Sequence, residues 1–343
     1  MSSLMNLIRN ENMKIYRRPR TWAMIGILIL AVAFMGGVMK WDSSRNDGPA
    51  PMPQQNAQAQ EQPGGQAEAE KYDEAWAQNL ARQNAEWQEQ LSRTTEMGEE
   101  QREWMTEQVK LNQYYLDHGI NPNDLTLWSY VDNSAALILL ITLLTVIVAA
   151  DMIAAEFSWG TIKLLLVGPA SRTKVMLSKY IATMIFALML LLICFAAAFA
   201  AGALLEGFGG INLPHLTIGA DGAVHEGSMI SHSLRVYGFS IVSLLMYVTM
   251  AFMISAAFRS SSMAIAFSLL FMLLGNTLTM LLSGYSWVKY LLFPNIDLSQ
   301  YMEGSQPLRP EMTLGFSIGM LAAYYVVFQL VAWLLFTRRD VAA

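Results

Sequence analysis

Apolar residues gather in six long stretches, at 21–39, 134–150, 180–205, 236–258, 263–282 and 314–336, with the run at 134–150 the shortest. About 20 such residues carry a helix across roughly 30 Å of hydrocarbon. No long run alternates apolar and polar positions, so a barrel is not expected and the backbone must close its hydrogen bonds within helices. The pattern predicts an all-α membrane protein with six transmembrane helices.

Outside these runs the pattern changes twice. Leu4, Leu7, Ile8 and Ile15 recur on one side of a helix, with Arg9, Asn10, Lys14 and Arg17 elsewhere. That suits an amphipathic helix over 1–20 lying in the membrane interface, ended by Pro19. After the first span (21–39), residues 40–132 form a large insertion. Residues 47–70 are rich in Pro, Gln, Ala and Gly and read as a flexible linker. Within 71–118, Trp76, Leu80, Trp87 and Leu91 recur at steps of four, seven and four, and Trp104, Leu111 and Tyr115 resume at seven and four after Gly98. This predicts a helical hairpin outside the membrane. Its stripe either packs the loop on itself or receives an extracellular partner.

Composition agrees with a lipid environment, at 54% hydrophobic and 14% charged residues. Lys and Arg stay on the cytoplasmic side in short flanks. They gather at Arg9, Lys14, Arg17, Arg18 and Arg20, at Lys163, Arg172, Lys174 and Lys179, at Arg259, and at Arg338 and Arg339. Residues 206–233 hold none, and 285–313 only Lys289 and Arg309. Both termini are therefore expected in the cytoplasm, with 133–343 forming a five-span core. A cleaved signal peptide is the competing reading of the start, but no small-residue cleavage site closely follows the long first run. Residues 40–132 carry 17 acidic and 7 basic side chains, net −10, which leaves +5 on the rest of a chain of net charge −5. No nucleic acid is expected as a partner.

The chemistry inventory is short. There is no G-x-x-x-x-G-K-[ST] loop, so the chain is not expected to hydrolyse ATP by that route, and there is no H-E-x-x-H. His118, His215, His225 and His232 follow no metal spacing, so no metal is expected. Cys194 is the single cysteine. Ionisable residues within the spans, the default pointers to an ion path, are nearly absent. Asn276, Thr277 and Gln329 are candidates for a translocation path, and hydrogen-bonded helix packing is the favoured reading of Asn276 and Gln329. Gly315 and Gly319 form a small-xxx-small pair.

The segment 151–179 is more specific. Asp151 and Glu156 end the second span, Gly160 permits a sharp turn, residues 161–167 suit a short apolar helix, and Pro169 stops it before Arg172, Lys174 and Lys179. A short helix held under the bilayer between two spans acts as a lever. With Glu156, Gly160-Thr161, Pro169, Ser171-Arg172 and Lys179, it resembles the permease subunits of bacterial type-2 ATP-binding-cassette exporters. The opening Asn10-Glu11, Lys14 and Arg18-Pro19-Arg20 resemble the start of such permeases, and the six-span plan extends the likeness over the whole chain. The acidic insertion departs from compact members of that family and is similar to members with an extracellular domain.

The resemblance implies two permease chains, identical or paralogous, in the bacterial plasma membrane, working with two copies of a separate ATPase that binds ATP and Mg. It implies ATPase coupling through Glu156, Gly160, Thr161, Lys163, Pro169, Ser171, Arg172 and Lys174, and an interfacial helix carrying Glu11, Lys14, Arg17 and Arg18. It further implies interfacial or re-entrant elements within 285–313. The chain itself is then not an enzyme and binds no cofactor. Two other readings remain, a non-transporting membrane scaffold or sensor with an extracellular helical binding domain, and an intramembrane enzyme.

Overall fold

The computed structural model describes residues 4–46, 65–93, 98–162, 170–219, 221–302 and 305–338. Its helices are α1 Leu4–Tyr16, α2 Pro19–Asn46, α3 Gly65–Arg93, α4 Glu99–His118, α5 Leu127–Ser134, α6 Ile138–Ser158, α7 Arg172–Leu205, α8 Met229–Ala257, α9 Ser261–Leu282, α10 Phe293–Ile296 and α11 Leu314–Arg338. Among the described residues, six segments are long and apolar enough to cross a membrane: Pro19–Ser44, Leu127–Ser158, Arg172–Leu205, Met229–Ala257, Ser261–Leu282 and Leu314–Arg338. The protein is a predominantly helical, multi-pass membrane protein.

Three features differ from the sequence pattern. The run at 134–150 is not a short span, because a 3-10 turn, Ala135–Leu137, fuses α5 and α6 into one long apolar segment. Residues 65–70, read as linker, are the first turns of α3, while 47–64 lie outside the described residues. Strands β1 Pro214–Ile218 and β2 Val224–Ser228 form an antiparallel hairpin in a chain expected to be wholly helical.

The chain divides into two compact units. The first comprises Met1–Phe34, Val131–Ala201 and Ser233–Ala343, and holds most of the spanning helix. Its centre is α6, whose Ile141, Val146, Ala149, Ala150, Ile153 and Ala154 are fully buried. Close approach matters here because lipid is as apolar as the side chains, leaving van der Waals contact and hydrogen bonds to hold helices together. Accordingly α9 buries Ala264, Ser268, Met272, Gly275 and Thr279 as it packs along α6. From α8, the Ser255 hydroxyl accepts from the Ile153 and Ala154 N–H groups, both at 3.0 Å. A Cβ on Gly275 would stand 2.1 Å from the Phe293 ring, so only glycine admits α10 there.

The span of 286–301 is a run of short turns: a 3-10 turn at Ser286–Tyr290, α10, and a 3-10 turn at Leu298–Tyr301. The fully buried Asn295 organises it. Its Nδ2 donates to the carbonyls of Lys289 and Leu291 at 2.8 and 2.7 Å, and its Oδ1 accepts from Ser317 of α11 at 2.6 Å.

The second unit comprises Met35–Tyr130 and Gly202–His232. Helices α3 and α4 run alongside each other, with the Trp87 and Trp104 rings 5.7 Å apart. The seam is rotated from the predicted stripe: Met105 and Asn112 are buried, whereas Trp104 stays 52% exposed. Asn84 is also buried and donates to the Val109 carbonyl at 3.2 Å. Helix α4 holds the β-hairpin through Lys110, donating to the Gly222 carbonyl at 2.7 Å, and Tyr114, donating to Glu226.

Candidate functional site

Helix α1 places an acid on its apolar side. Leu4, Leu7, Ile8, Glu11 and Ile15 fall at helical spacing, and Glu11 is buried with Ile15. Helix α7 does the same with a base: Val175, Met176, Lys179, Ala182, Phe186 and Ala187 share its buried face, and Lys179 is 2% exposed. The two charges meet, with Lys179 Nζ donating to Glu11 Oε2 at 2.9 Å and to Glu156 Oε1 at 2.8 Å. Lys14 Nζ donates to Glu11 Oε1 at 2.7 Å and stands 3.7 Å from Glu156 Oε1. Two ammonium groups and two carboxylates thus close a neutral knot joining α1, the end of α6 and the start of α7. Burial disfavours the Lys14 ammonium, but Glu11 and then Glu156 outweigh it and raise its pKa above the ordinary lysine value.

The turn after α6 completes the knot. Gly160 has φ of 70°, a left-handed conformation that an L side chain adopts only with strain, and its N–H donates to the Phe157 carbonyl at 3.2 Å. The reversal carries Thr161 back over the helix end, where its hydroxyl donates to Glu156 Oε2. The Glu156, Gly160 and Thr161 spacing is therefore a local structural unit.

A second knot lies beside it. Asp151, 3% exposed, accepts from Arg18 at 2.8 Å, from Arg20 and from the Ser261 hydroxyl. The Arg18 guanidinium also lies 4.9 Å from the centroid of the Trp159 ring. Ser158 links the same elements, donating to the Arg259 carbonyl at 3.3 Å and accepting from the Ser261 N–H at 3.0 Å. Together the knots tie α1, α2, α6, α7 and α9 at one end of the first unit.

Other anticipated residues sit apart. Ser171 caps α7, its Oγ 3.4 Å from the Lys174 N–H, and the Lys174 side chain is exposed. Arg172 donates to the Thr337 carbonyl of α11 at 2.9 Å. Arg17 is exposed. Lys163 and Pro169, with the rest of 163–169, lie outside the described residues. Asn276 and Thr277 are exposed on α9, whereas Gln329 on α11 is half-buried with an unpartnered Nε2. No hydrogen bond among the described residues joins these three into a path.

Sequence reasoning named Asp151 and Lys179 in the segment 151–179 without assigning them a coupling role, and gave none to Arg20 or Ser261. For Asp151 and Lys179 the signal was available: a charge at a core position of an apolar helix demands a partner. The expectation that the chain holds no G-x-S-x-G is wrong, because Gly315-Phe316-Ser317-Ile318-Gly319 has that spacing of a nucleophile elbow. That serine lies within α11, and its hydroxyl bonds Asn295 and Tyr301, so the run is packing and not an exposed nucleophile. No group of three or more metal-ligating side chains occurs among the described residues.

A family model described as "Protein of unknown function (DUF2705)" matches residues 101–342, which hold Glu156 and Lys179 of the first knot and Asp151 and Ser261 of the second. The chain belongs to the DUF2705 family. It is 38% identical to "Uncharacterized protein YhcI" of Bacillus subtilis (strain 168), over 99% of this chain and 100% of that one. It is 29% identical to "Uncharacterized membrane protein YdbK" of the same organism, over 62% of this chain and 82% of that protein.

Proposed function

We propose that this chain is the permease subunit of a bacterial exporter of the ATP-binding-cassette class, in the plasma membrane with both termini cytoplasmic. It forms the translocation path with a second permease chain, identical or paralogous. It takes its energy from a separate ATPase, in two copies, that binds ATP and Mg. The observation that carries this reading is the Glu11–Lys14–Glu156–Lys179 knot. It makes the turn after α6, the amphipathic α1 and the start of α7 mechanically continuous. A push on the segment 151–179 then moves two spans together instead of bending a loop. The concentration of Lys and Arg at this end supports its cytoplasmic assignment, and the lack of a phosphate-binding loop in the chain is consistent with a separate ATPase.

Purification of the tagged protein from its native membrane in mild detergent, with mass spectrometry of what accompanies it, tests the reading. Recovery of a soluble P-loop ATPase is the expected result, and a second permease beside it separates hetero- from homodimer. The α3–α4 hairpin favours one alternative, a scaffold or sensor that holds an envelope partner outside the membrane. Recovery of an envelope protein in place of any ATPase selects that alternative.

A further inference from the structure

The corner between α1 and α2 holds more positive charge than its carboxylate balances. Both oxygens of Asp151 are taken, Oδ2 by Arg18 and Arg20 and Oδ1 by Ser261. Arg20 Nε remains buried with no hydrogen-bond partner. Arg17, one residue from Arg18, is exposed, and no ion pair among the described residues engages it. The backbone of Arg259 adjoins the same corner, because its carbonyl accepts from Ser158, whose oxygen takes the N–H of Ser261, and its side chain is exposed. Two guanidiniums, Arg18 and Arg20, already exceed the one carboxylate by a positive charge, the exposed Arg17 and Arg259 adjoin them, and the neighbouring Glu11–Lys14–Glu156–Lys179 knot is neutral in itself.

The depth and surroundings of this corner point to what balances the excess. Helix α2 begins at Pro19, and its apolar run follows at once, so the arginines lie where hydrocarbon gives way to headgroups. Two tryptophans flank them, each 63% exposed: Trp22, whose indole N–H donates to the Tyr16 carbonyl at 2.9 Å, and Trp159 under Arg18. Beyond Trp22 the surface of α2 is apolar, with Ile27 and Leu30 exposed. Exposed indoles mark an interface, and guanidiniums match phosphate oxygens in geometry as well as charge. Basic pockets at this depth are the usual receptors for anionic headgroups.

We infer that the α1–α2 corner is a headgroup site for an anionic phospholipid. The phosphate takes the N–H groups of the exposed Arg17 and Arg259 side chains in the field of Arg18 and Arg20, and the acyl chains lie along Trp22, Ile27 and Leu30. The site requires only that α2 spans the membrane, so it stands or falls separately from the transport reading.

The test uses the full chain, delipidated in detergent, with native mass spectrometry and thermal unfolding after addition of phosphatidylglycerol, phosphatidylcholine or inorganic phosphate. Phosphatidylglycerol should remain bound and raise the unfolding temperature, while phosphatidylcholine and phosphate do neither. The double variant Arg17→Gln/Arg259→Gln leaves the Asp151 knot intact and should weaken phosphatidylglycerol binding by about fivefold for each cation removed. Arg17→Gln alone, a change on an exposed side chain, should give about half of that loss on a logarithmic scale. Equal retention of phosphatidylcholine, equal stabilisation by inorganic phosphate, or unchanged phosphatidylglycerol binding in the double variant would each overturn the assignment.

Discussion

Lys179 carries the heaviest electrostatic load of any side chain in the first knot, because it alone is almost fully buried and bonds both carboxylates. Replacing it with methionine keeps the volume but strands Glu11 and Glu156. Breaking a buried pair in this way costs about 3–5 kcal/mol. Lys179→Met should therefore lower the unfolding temperature in detergent markedly, and adding Glu11→Gln and Glu156→Gln should restore most of the loss. No restoration would mean that Lys179 contributes through packing alone. Lys14 titrates within the same set. Its raised pKa means that its contribution to docking α1 is complete below the ordinary lysine pKa and fades as pH rises through the raised value. The side chain is 51% exposed, so solvent screening holds that contribution under about 1 kcal/mol. Protection of the α1 amides, corrected for the intrinsic rise of exchange with pH, should fall only above about pH 10.4, the ordinary lysine pKa, and should do so less in Lys14→Met. What the sequence held at this scale, and the reading of it did not use, was an acid and a base at apolar helix positions. What it withheld was the partner, since Glu11 and Lys179 are 168 positions apart and only the packing of α1 on α7 brings them together.

Among the elements, glycine sets two geometries that helix propensity alone does not foretell. Gly275 lies mid-helix in α9, where glycine is normally unfavourable by about 1 kcal/mol against alanine. Here Gly275→Ala should destabilise instead, by about 1–3 kcal/mol, because the new methyl overlaps the Phe293 ring. Combining it with Phe293→Ala should leave less than the sum of the two losses, measured by thermal unfolding. Gly160 is different, since nothing stands near its missing Cβ and only its left-handed φ matters. The six apolar runs were legible because a bilayer imposes one length and one composition on a spanning helix. The β-hairpin was not, although Asp221-Gly222 in its loop is a recognised turn pair. Its strands are five residues each, and a segment noted only for lacking Lys and Arg gave no cause to look for period two. The rotation of the α3–α4 seam has a related cause. Large aromatic rings dominate a pattern search, but Trp104 reaches its neighbour from the rim, and the smaller Met105 and Asn112 fill the interior.

For the molecule as a whole, orientation is the property on which the coupling role depends, and Cys194 makes it accessible to experiment. The chain's single cysteine is fully buried, so a Cys194→Ala background gives a silent starting point for labelling. Lys and Arg concentrate at the loops that flank α1, α6, α7 and α9, while the insertion between the first two spans carries the acidic excess. Moving such basic flanks across a membrane is disfavoured, whereas a long acidic segment crosses largely regardless of its charge. Glu99→Cys at the start of α4 should therefore react with a membrane-impermeant maleimide on intact cells. Lys174→Cys, on an exposed position beside the knots, should react only after lysis. The opposite pattern would put Glu156, Lys179 and Asp151 outside the cell, beyond the reach of a cytoplasmic ATPase. The knots would then be braces for an external surface, and the partner to look for would be an envelope protein.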